Sequence, residues 1–226
     1  MSTRPPDIVL FDAFGTLLRM EPPGPILRSH LAAAGYPYDE DVVEAALREE
    51  IAHYRARMHI GSDTSGLAAL RAECGAVLAR ALGPGAPAPA MATGMLVRSL
   101  RFRLHEDAPD AMDAVEDLGL RMGVVSNWDC ALPDHLADLG VAQRFTVIAV
   151  SAVVGAAKPD PAIFLHATRA AGVPPTRALH VGDHPREDYG GARAAGLQAL
   201  LLDRSGEAPG PDAITTLRDL AGRIHA

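Results

Sequence analysis

Apolar residues follow two rhythms along this chain. Short runs without polar alternation occur at 8–11 (IVLF), 122–126 (MGVVS), 146–150 (TVIAV), 178–182 (ALHVG) and 198–202 (QALLL). Runs of this kind suit strands covered on both faces, as in a parallel sheet. Between them lie stretches with apolar positions at helical spacing. Residues 109–119 open on Pro109 and close on Gly119, and residues 131–140 close on Gly140. Residues 160–172 open on Asp160-Pro161 and close on Gly172, and 187–196 close on Gly196. Proline in the first turn and glycine after the last are helix start and stop signals. Strands alternating with helices predict βαβ units in an α/β parallel sheet of five strands.

Residues 20–105 break that rhythm. Segments 26–34, 39–59, 66–82 and 90–105 read as helices, no strand is evident, and GPGAPAPA (83–90) is a Pro/Gly linker. A helical insert directly after the first strand is placed to act as a lid over the sheet's C-terminal edge. The expected organisation is a discontinuous α/β core, 1–19 with 106–226, and a helical cap, 20–105.

Composition narrows the picture. At 226 residues the chain can bury a core and still carry an insert. Its net charge of −7, with no Lys/Arg stripe, argues against a nucleic-acid partner. A small anionic substrate stays compatible, because a lysine, a metal and backbone amides can dominate the field locally. Cys74 and Cys130 form neither a disulfide framework nor a zinc spacing, which fits a reducing cytosol. MSTRPPDIVLFD lacks a signal-peptide pattern, and its apolar run is too short to span a bilayer. A cytoplasmic protein with no membrane partner is the expectation.

The reactive side chains cluster where the apolar runs end. DIVLFDAFGTLL (7–18) offers Asp12, MGVVSNWD (122–129) offers Ser126 and Asn127, VGAAKPDP (154–161) offers Lys158, and ALHVGDHPREDYGGARAAG (178–196) offers Asp183 and Asp188. An α/β sheet binds its ligands at strand C-terminal ends, where each of these groups falls. A carboxylate nucleophile, oxygen binders, a cation and further acids suit attack on a phosphoryl group or similar electrophile with a hard metal. Taken singly, each would read as a turn acid, a helix cap or a solvated lysine. Their order makes the set. His180 and His184 share no helix face and do not suggest zinc. Trp128 reads as a pocket wall, Cys130 as a small buried hydrophobe, and Arg55, Arg57 and His59 as a solvated helix face.

With these motifs in place, the chain resembles the haloacid dehalogenase-like hydrolases that carry a helical cap. The resemblance covers about 7–19 and 106–204, including KPDPAIF and the GD–D–GA–AG pattern of 182–196. It implies a Rossmann-like core of five parallel strands. It also implies Asp12 as nucleophile, with Ser126 and the Asn127 backbone holding the transferred group's oxygens. Lys158 would neutralise charge. Mg²⁺ would be held by Asp12, Asp183 and the Phe14 carbonyl, with Asp188 and Thr16 supporting that site from behind.

One position departs from the family pattern. Phosphatases of this kind carry an aspartate two residues after the nucleophile, as general acid and then base; here that residue is Phe14. FDAFGTL therefore also resembles haloacid dehalogenases, which release halide without a proton and use no metal. The Gly182-Asp183 pair and Asp188 match the metal-dependent phosphatases better. The expected function is Mg²⁺-dependent hydrolysis of a small phosphorylated metabolite. Carbon–halogen hydrolysis, or a catalytically weak binding or scaffold protein, are the alternatives.

Overall fold

A computed structural model of the chain describes residues 5–207 and 210–224. Its elements run β1 (Ile8–Phe11), β2 (Leu18–Met20), α1 (Pro23–Ala33), α2 (Glu40–Arg57), α3 (Thr64–Leu82), α4 (Pro89–Ser99) and β3 (Phe102–Leu104). They continue with α5 (Ala108–Asp117), β4 (Arg121–Ser126), α6 (Leu132–Asp138), β5 (Phe145–Val150), α7 (Ser151–Val154), α8 (Pro161–Ala170) and β6 (Ala178–Gly182). The last are α9 (Gly191–Ala194), β7 (Gln198–Leu202), β8 (Ala213–Ile214) and α10 (Leu220–Ile224). The chain divides into two compact units, Met1–Arg19 with Arg103–Ala226, and Met20–Phe102. No helix among the described residues is long and apolar enough to cross a membrane.

The first unit is the parallel Rossmann-like sheet with flanking helices that the strand and helix rhythm predicts. Its strand order is β5-β4-β1-β6-β7-β8. Neighbouring strands in that order run parallel throughout. β1 lies between β4 and β6, and all its residues are buried, which is why 8–11 is apolar without alternation. On one face of the sheet Ile163, Phe164 and Ala167 of α8 pack with Ile8, Leu10 and Val125. A Cβ at Gly123 would lie 2.6 Å from Val147 Cγ1 and 2.8 Å from Leu10 Cδ2, so glycine lets these side chains interlock.

The sheet has six strands, not five. The sixth, β8, pairs Ala213 and Ile214 with Leu201 and Leu202. Two residues make no apolar run; their extended form comes from ladder bonds to β7 rather than from a local pattern. The helix expected over 90–105 ends at Ser99, and Phe102–Leu104 is a strand in a two-stranded sheet with β2. FRL has no intrinsic strand signal of useful length, and pairing decides it. Within the second unit Leu31, Leu47, Leu70, Leu78 and Met95 form a core of their own. Asp63 caps α3 by accepting from the Gly66 N–H at 2.8 Å.

One buried carboxylate ties distant loops of the first unit together. Asp107 accepts from Arg204 Nη1 and Nη2 (2.8 and 3.0 Å), from Thr216 Oγ1 (2.8 Å) and from the Leu217 N–H (2.9 Å). Arg204 also donates to the carbonyls of Gly15 and Thr16, at 3.2 and 3.0 Å. Burial raises the Asp107 carboxyl, but these donors and the guanidinium charge outweigh it and hold the group well below the usual carboxylate range. An asparagine keeps one acceptor oxygen and loses the charge. Asp107→Asn is therefore expected to cost about 2 kcal/mol, the scale of hydrogen bonds to charged groups. Because the folded-state pKa is depressed, the stabilisation is complete above the unfolded value of about 3.9 and is lost as pH falls toward the folded one. Melting curves of both proteins should converge in acid. A constant gap down to pH 2 would contradict this.

Candidate active site

The C-terminal edge of the sheet gathers the motif residues. Asp12 follows β1, and its N–H continues the ladder to the Val181 carbonyl at 2.9 Å. Ser126 ends β4, and its Oγ donates to Asp12 Oδ1 at 3.1 Å. Lys158 lies between α7 and α8, and its Nζ reaches Asp12 Oδ1 and Asp188 Oδ1, each at 2.5 Å. Both donors to Asp12 fall on Oδ1; Oδ2 takes neither. Asp12, Ser126, Lys158 and Asp188 are all buried, whereas Asp183 is open to solvent.

Two glycines make the close approaches possible. A Cβ at Gly15, where φ is +91°, would lie 2.2 Å from Asp183 Oδ2, and one at Gly182 would lie 2.2 Å from Asp188 Cγ. Any side chain at either position would push a carboxylate out of the cluster. The turn after Asp12 is closed by Leu18 N–H to the Ala13 carbonyl (2.7 Å) and Gly15 N–H to the Leu18 carbonyl (2.8 Å). These bonds bypass the Phe14 carbonyl. Phe14 is 44% exposed as a residue, and its ring meets Trp128 edge-on at 6.2 Å. Trp128 is held through its backbone by Ser151, as a wall rather than a reacting group.

Residues 185–190 form a wide π-helical turn, not the start of the regular helix expected over 187–196. His184 caps it, its Nδ1 accepting from the Arg186 and Glu187 N–H groups. The Asp188 carboxylate is engaged on both oxygens: Oδ1 accepts from Lys158 Nζ and from His180 Nε2 (2.9 Å), and Oδ2 from the His184 N–H (3.0 Å). The two histidines thus act separately, as their spacing suggested.

Charge is unbalanced. Ligand atoms of Asp12, Asp183 and Asp188 lie within 4.8 Å of one another, with one ammonium among them. Burial lifts the Asp12 carboxyl above its ordinary value, with Lys158 working against it. Asp183 lies at the solvent edge, yet partial loss of water around its carboxyl, then the charges of Asp12 and Asp188, push it up to about 6. Burial also disfavours charge on Asp188, but Lys158 and the His180 hydrogen bond overcome it and hold that carboxyl low. Burial would lower the Lys158 ammonium, yet its two carboxylate partners raise it instead.

Some residues take positions that the sequence did not announce. The Asn127 side chain is a strut: Nδ2 donates to the Lys158 carbonyl and to Glu187 Oε2, both at 3.0 Å, and Oδ1 accepts from the Lys158 N–H at 2.7 Å. That leaves its backbone, not its amide, for an oxygen of a bound group. Thr16 is buried, its Oγ1 without a partner among the described residues, and no hydrogen bond joins that side chain to the acids. Arg57 pairs with Glu73 inside the helical unit, with Nε to Oε2 at 2.6 Å. Cys130 is half-buried rather than buried. One signal was available in the sequence all along: Lys158 is the single lysine among 21 basic residues. A chain that uses arginine everywhere else keeps its one compact, point-charge ammonium here.

The family model for haloacid dehalogenase-like hydrolases matches residues 6–196. The chain belongs to that family, and it is an enzyme of the hydrolase class. It is 32% identical over 195 residues to a phosphoserine phosphatase of Thermus thermophilus, a match covering 81% of this chain and 74% of the relative. Haloacid dehalogenase-like hydrolase domain-containing protein 3 of Danio rerio is 39% identical over 103 residues, 46% of this chain. In that match the chain spans only 43% of the relative's length. Among solved structures, a 2-haloacid dehalogenase of Pseudomonas syringae is similar at a TM-score of 0.68 and 26% identity, covering 97% of this chain and 98% of that one.

Proposed function

We propose that this hydrolase is a Mg²⁺-dependent phosphatase of a small phosphorylated metabolite, working through an aspartyl-phosphate at Asp12. The observation that carries this reading is the cluster of Asp12, Asp183 and Asp188 within 4.8 Å. Halide displacement at Asp12 requires no dication, whereas an anionic ester beside these acids does. The donor set fits Mg²⁺, which takes carboxylate and carbonyl oxygens together with waters and a substrate oxygen. Asp12, Asp183 and the Phe14 carbonyl would hold it; Asp188, its oxygens already engaged, would not. Bound there, the ion would offset the repulsion between an anionic nucleophile and an anionic ester.

The protein's own groups do the rest. Asp12 Oδ2 attacks phosphorus as the bond to the leaving oxygen breaks. Ser126 Oγ and the Asn127 N–H hold phosphoryl oxygens, and Lys158 balances charge passing from Asp12 to them. Water then attacks the acyl phosphate, releasing phosphate and restoring Asp12. The phosphoserine phosphatase relative supports this reading. Phe14 and the dehalogenase likeness favour the second one, carbon–halogen hydrolysis at the same carboxylate.

Metal dependence separates them. Turnover of p-nitrophenyl phosphate should stop in EDTA and return with Mg²⁺. With Asp183 at about 6, protons compete for a ligand below that pH. Apparent Mg²⁺ affinity should be flat above pH 7 and fall by about tenfold per pH unit well below 6, as one bound proton requires. Titration calorimetry measures this directly. Full turnover in chelator, or hydrolysis of 2-haloacids in its place, would overturn the phosphatase reading.

A further inference from the structure

Among the described residues His180 is the one buried imidazole in contact with this cluster, and the reaction proposed for Asp12 gives it no part. It lies in β6 with no exposed surface, its ring edge-on to Phe164 with centroids 5.0 Å apart. Nδ1 is buried without a partner among the described residues. The ring therefore makes a single polar contact, Nε2 to Asp188 Oδ1 at 2.9 Å. A carboxylate has only acceptors, so the proton in that contact is on His180. The same oxygen takes Lys158 Nζ at 2.5 Å, and Lys158 in turn holds Asp12 Oδ1 at 2.5 Å.

Lys158 is thus shared between two carboxylates. What it gives Asp12 depends on how strongly Asp188 draws on it. A second donor on Asp188 Oδ1 drains charge from that oxygen and fixes the carboxylate's rotation, weakening its pull on the ammonium. We propose that His180 is a positioning residue for the reaction: by donating to Asp188 it keeps Lys158 directed at Asp12 and the group transferred to it. This rests on the proposed roles of Asp12 and Lys158. Without the donor, Asp188 would hold Lys158 more tightly, and charge arriving on phosphoryl oxygens would be balanced less well. The loss would fall on the transition state rather than on substrate binding.

The test compares His180→Leu and His180→Met, which lack the donor, with His180→Gln, which can restore it. The full chain is assayed with p-nitrophenyl phosphate and saturating Mg²⁺. The donor-free variants should lose about 10–100-fold in kcat, the usual scale for partners that orient catalytic groups from behind, with KM unchanged. His180→Gln should recover most of that loss. Two donor-free variants are used so that one that fails to fold leaves the other. Because Lys158 is the only lysine, ¹⁵N-lysine labelling gives one Nζ signal, and its protons should exchange more slowly in the donor-free variants, where Asp188 grips the ammonium harder, than in wild type or His180→Gln. Equal kcat in all variants, equal losses with and without the donor, or an unmoved Nζ signal would overturn the proposal. A wild-type protein without phosphatase turnover would instead sink the functional reading, and the Nζ signal alone would then decide the role of His180.

Discussion

Asp12→Asn should lower phosphatase turnover by at least about 10⁴-fold, the scale seen when a nucleophile is removed, while raising the melting temperature. The amide nearly copies the carboxylate in shape but is a poor nucleophile. Stability moves the other way because the cluster is overloaded with negative charge. Asp12 is lifted above its ordinary value by burial, and its charge in turn helps raise Asp183. Removing that charge relieves both, and Lys158 keeps Asp188 as its partner. Lys158→Met should also abolish turnover, but with the opposite thermal effect. It leaves two buried carboxylates without their cation, and breaking a buried pair in this way costs about 3–5 kcal/mol. Two inactive variants with melting shifts of opposite sign would identify a site that keeps destabilising charge for function. Near-normal turnover in Asp12→Asn would place the chemistry elsewhere.

Much of this arrangement is legible in the sequence. The β1 run of 8–11 has no polar position because the strand is central, and Asp12 follows it because the chain turns there. Local punctuation also marked helix ends, as at Asp160, which caps α8 through the Ala162 N–H at 2.9 Å. What escaped is tertiary. β8 exists only as a partner of β7. Arg204 and Asp107 meet across 97 residues, and nothing local marks either of them. The sequence suggests an oxygen-binding backbone at Asn127, but gives no sign that the side chain braces the Lys158 backbone 31 residues away. The sequence gives His180 no role beyond excluding zinc, since a single buried histidine shows its partner only once Asp188 is folded back against it. Motif order reports which groups share an edge; it does not report which hold others in place.

Phe14 offers the second large effect. A leaving alkoxide needs a proton, and general acid help is worth roughly 10²–10⁴ in rate. The residue two positions after Asp12 cannot provide it here: Phe14 carries no proton to give, and its ring packs beside Trp128. Rates over a series of esters should therefore fall steeply with leaving-group pKa. Aryl and acyl phosphates depart unprotonated and should react well; simple alkyl phosphates should react slowly. The second step is affected too, since water must attack the aspartyl-phosphate without a base at this position, and a burst before a slower steady rate is expected with good leaving groups. Phe14→Asp should flatten the leaving-group dependence, speed alkyl phosphates by about 10²-fold or more, and suppress the burst. The fold should tolerate the change, because the ring is partly in solvent and the turn is closed by the backbone of its neighbours. A shallow dependence in the natural protein would mean that another group already delivers the proton. Phe14 would then be a wall that shapes the leaving group's site rather than a limit on its chemistry.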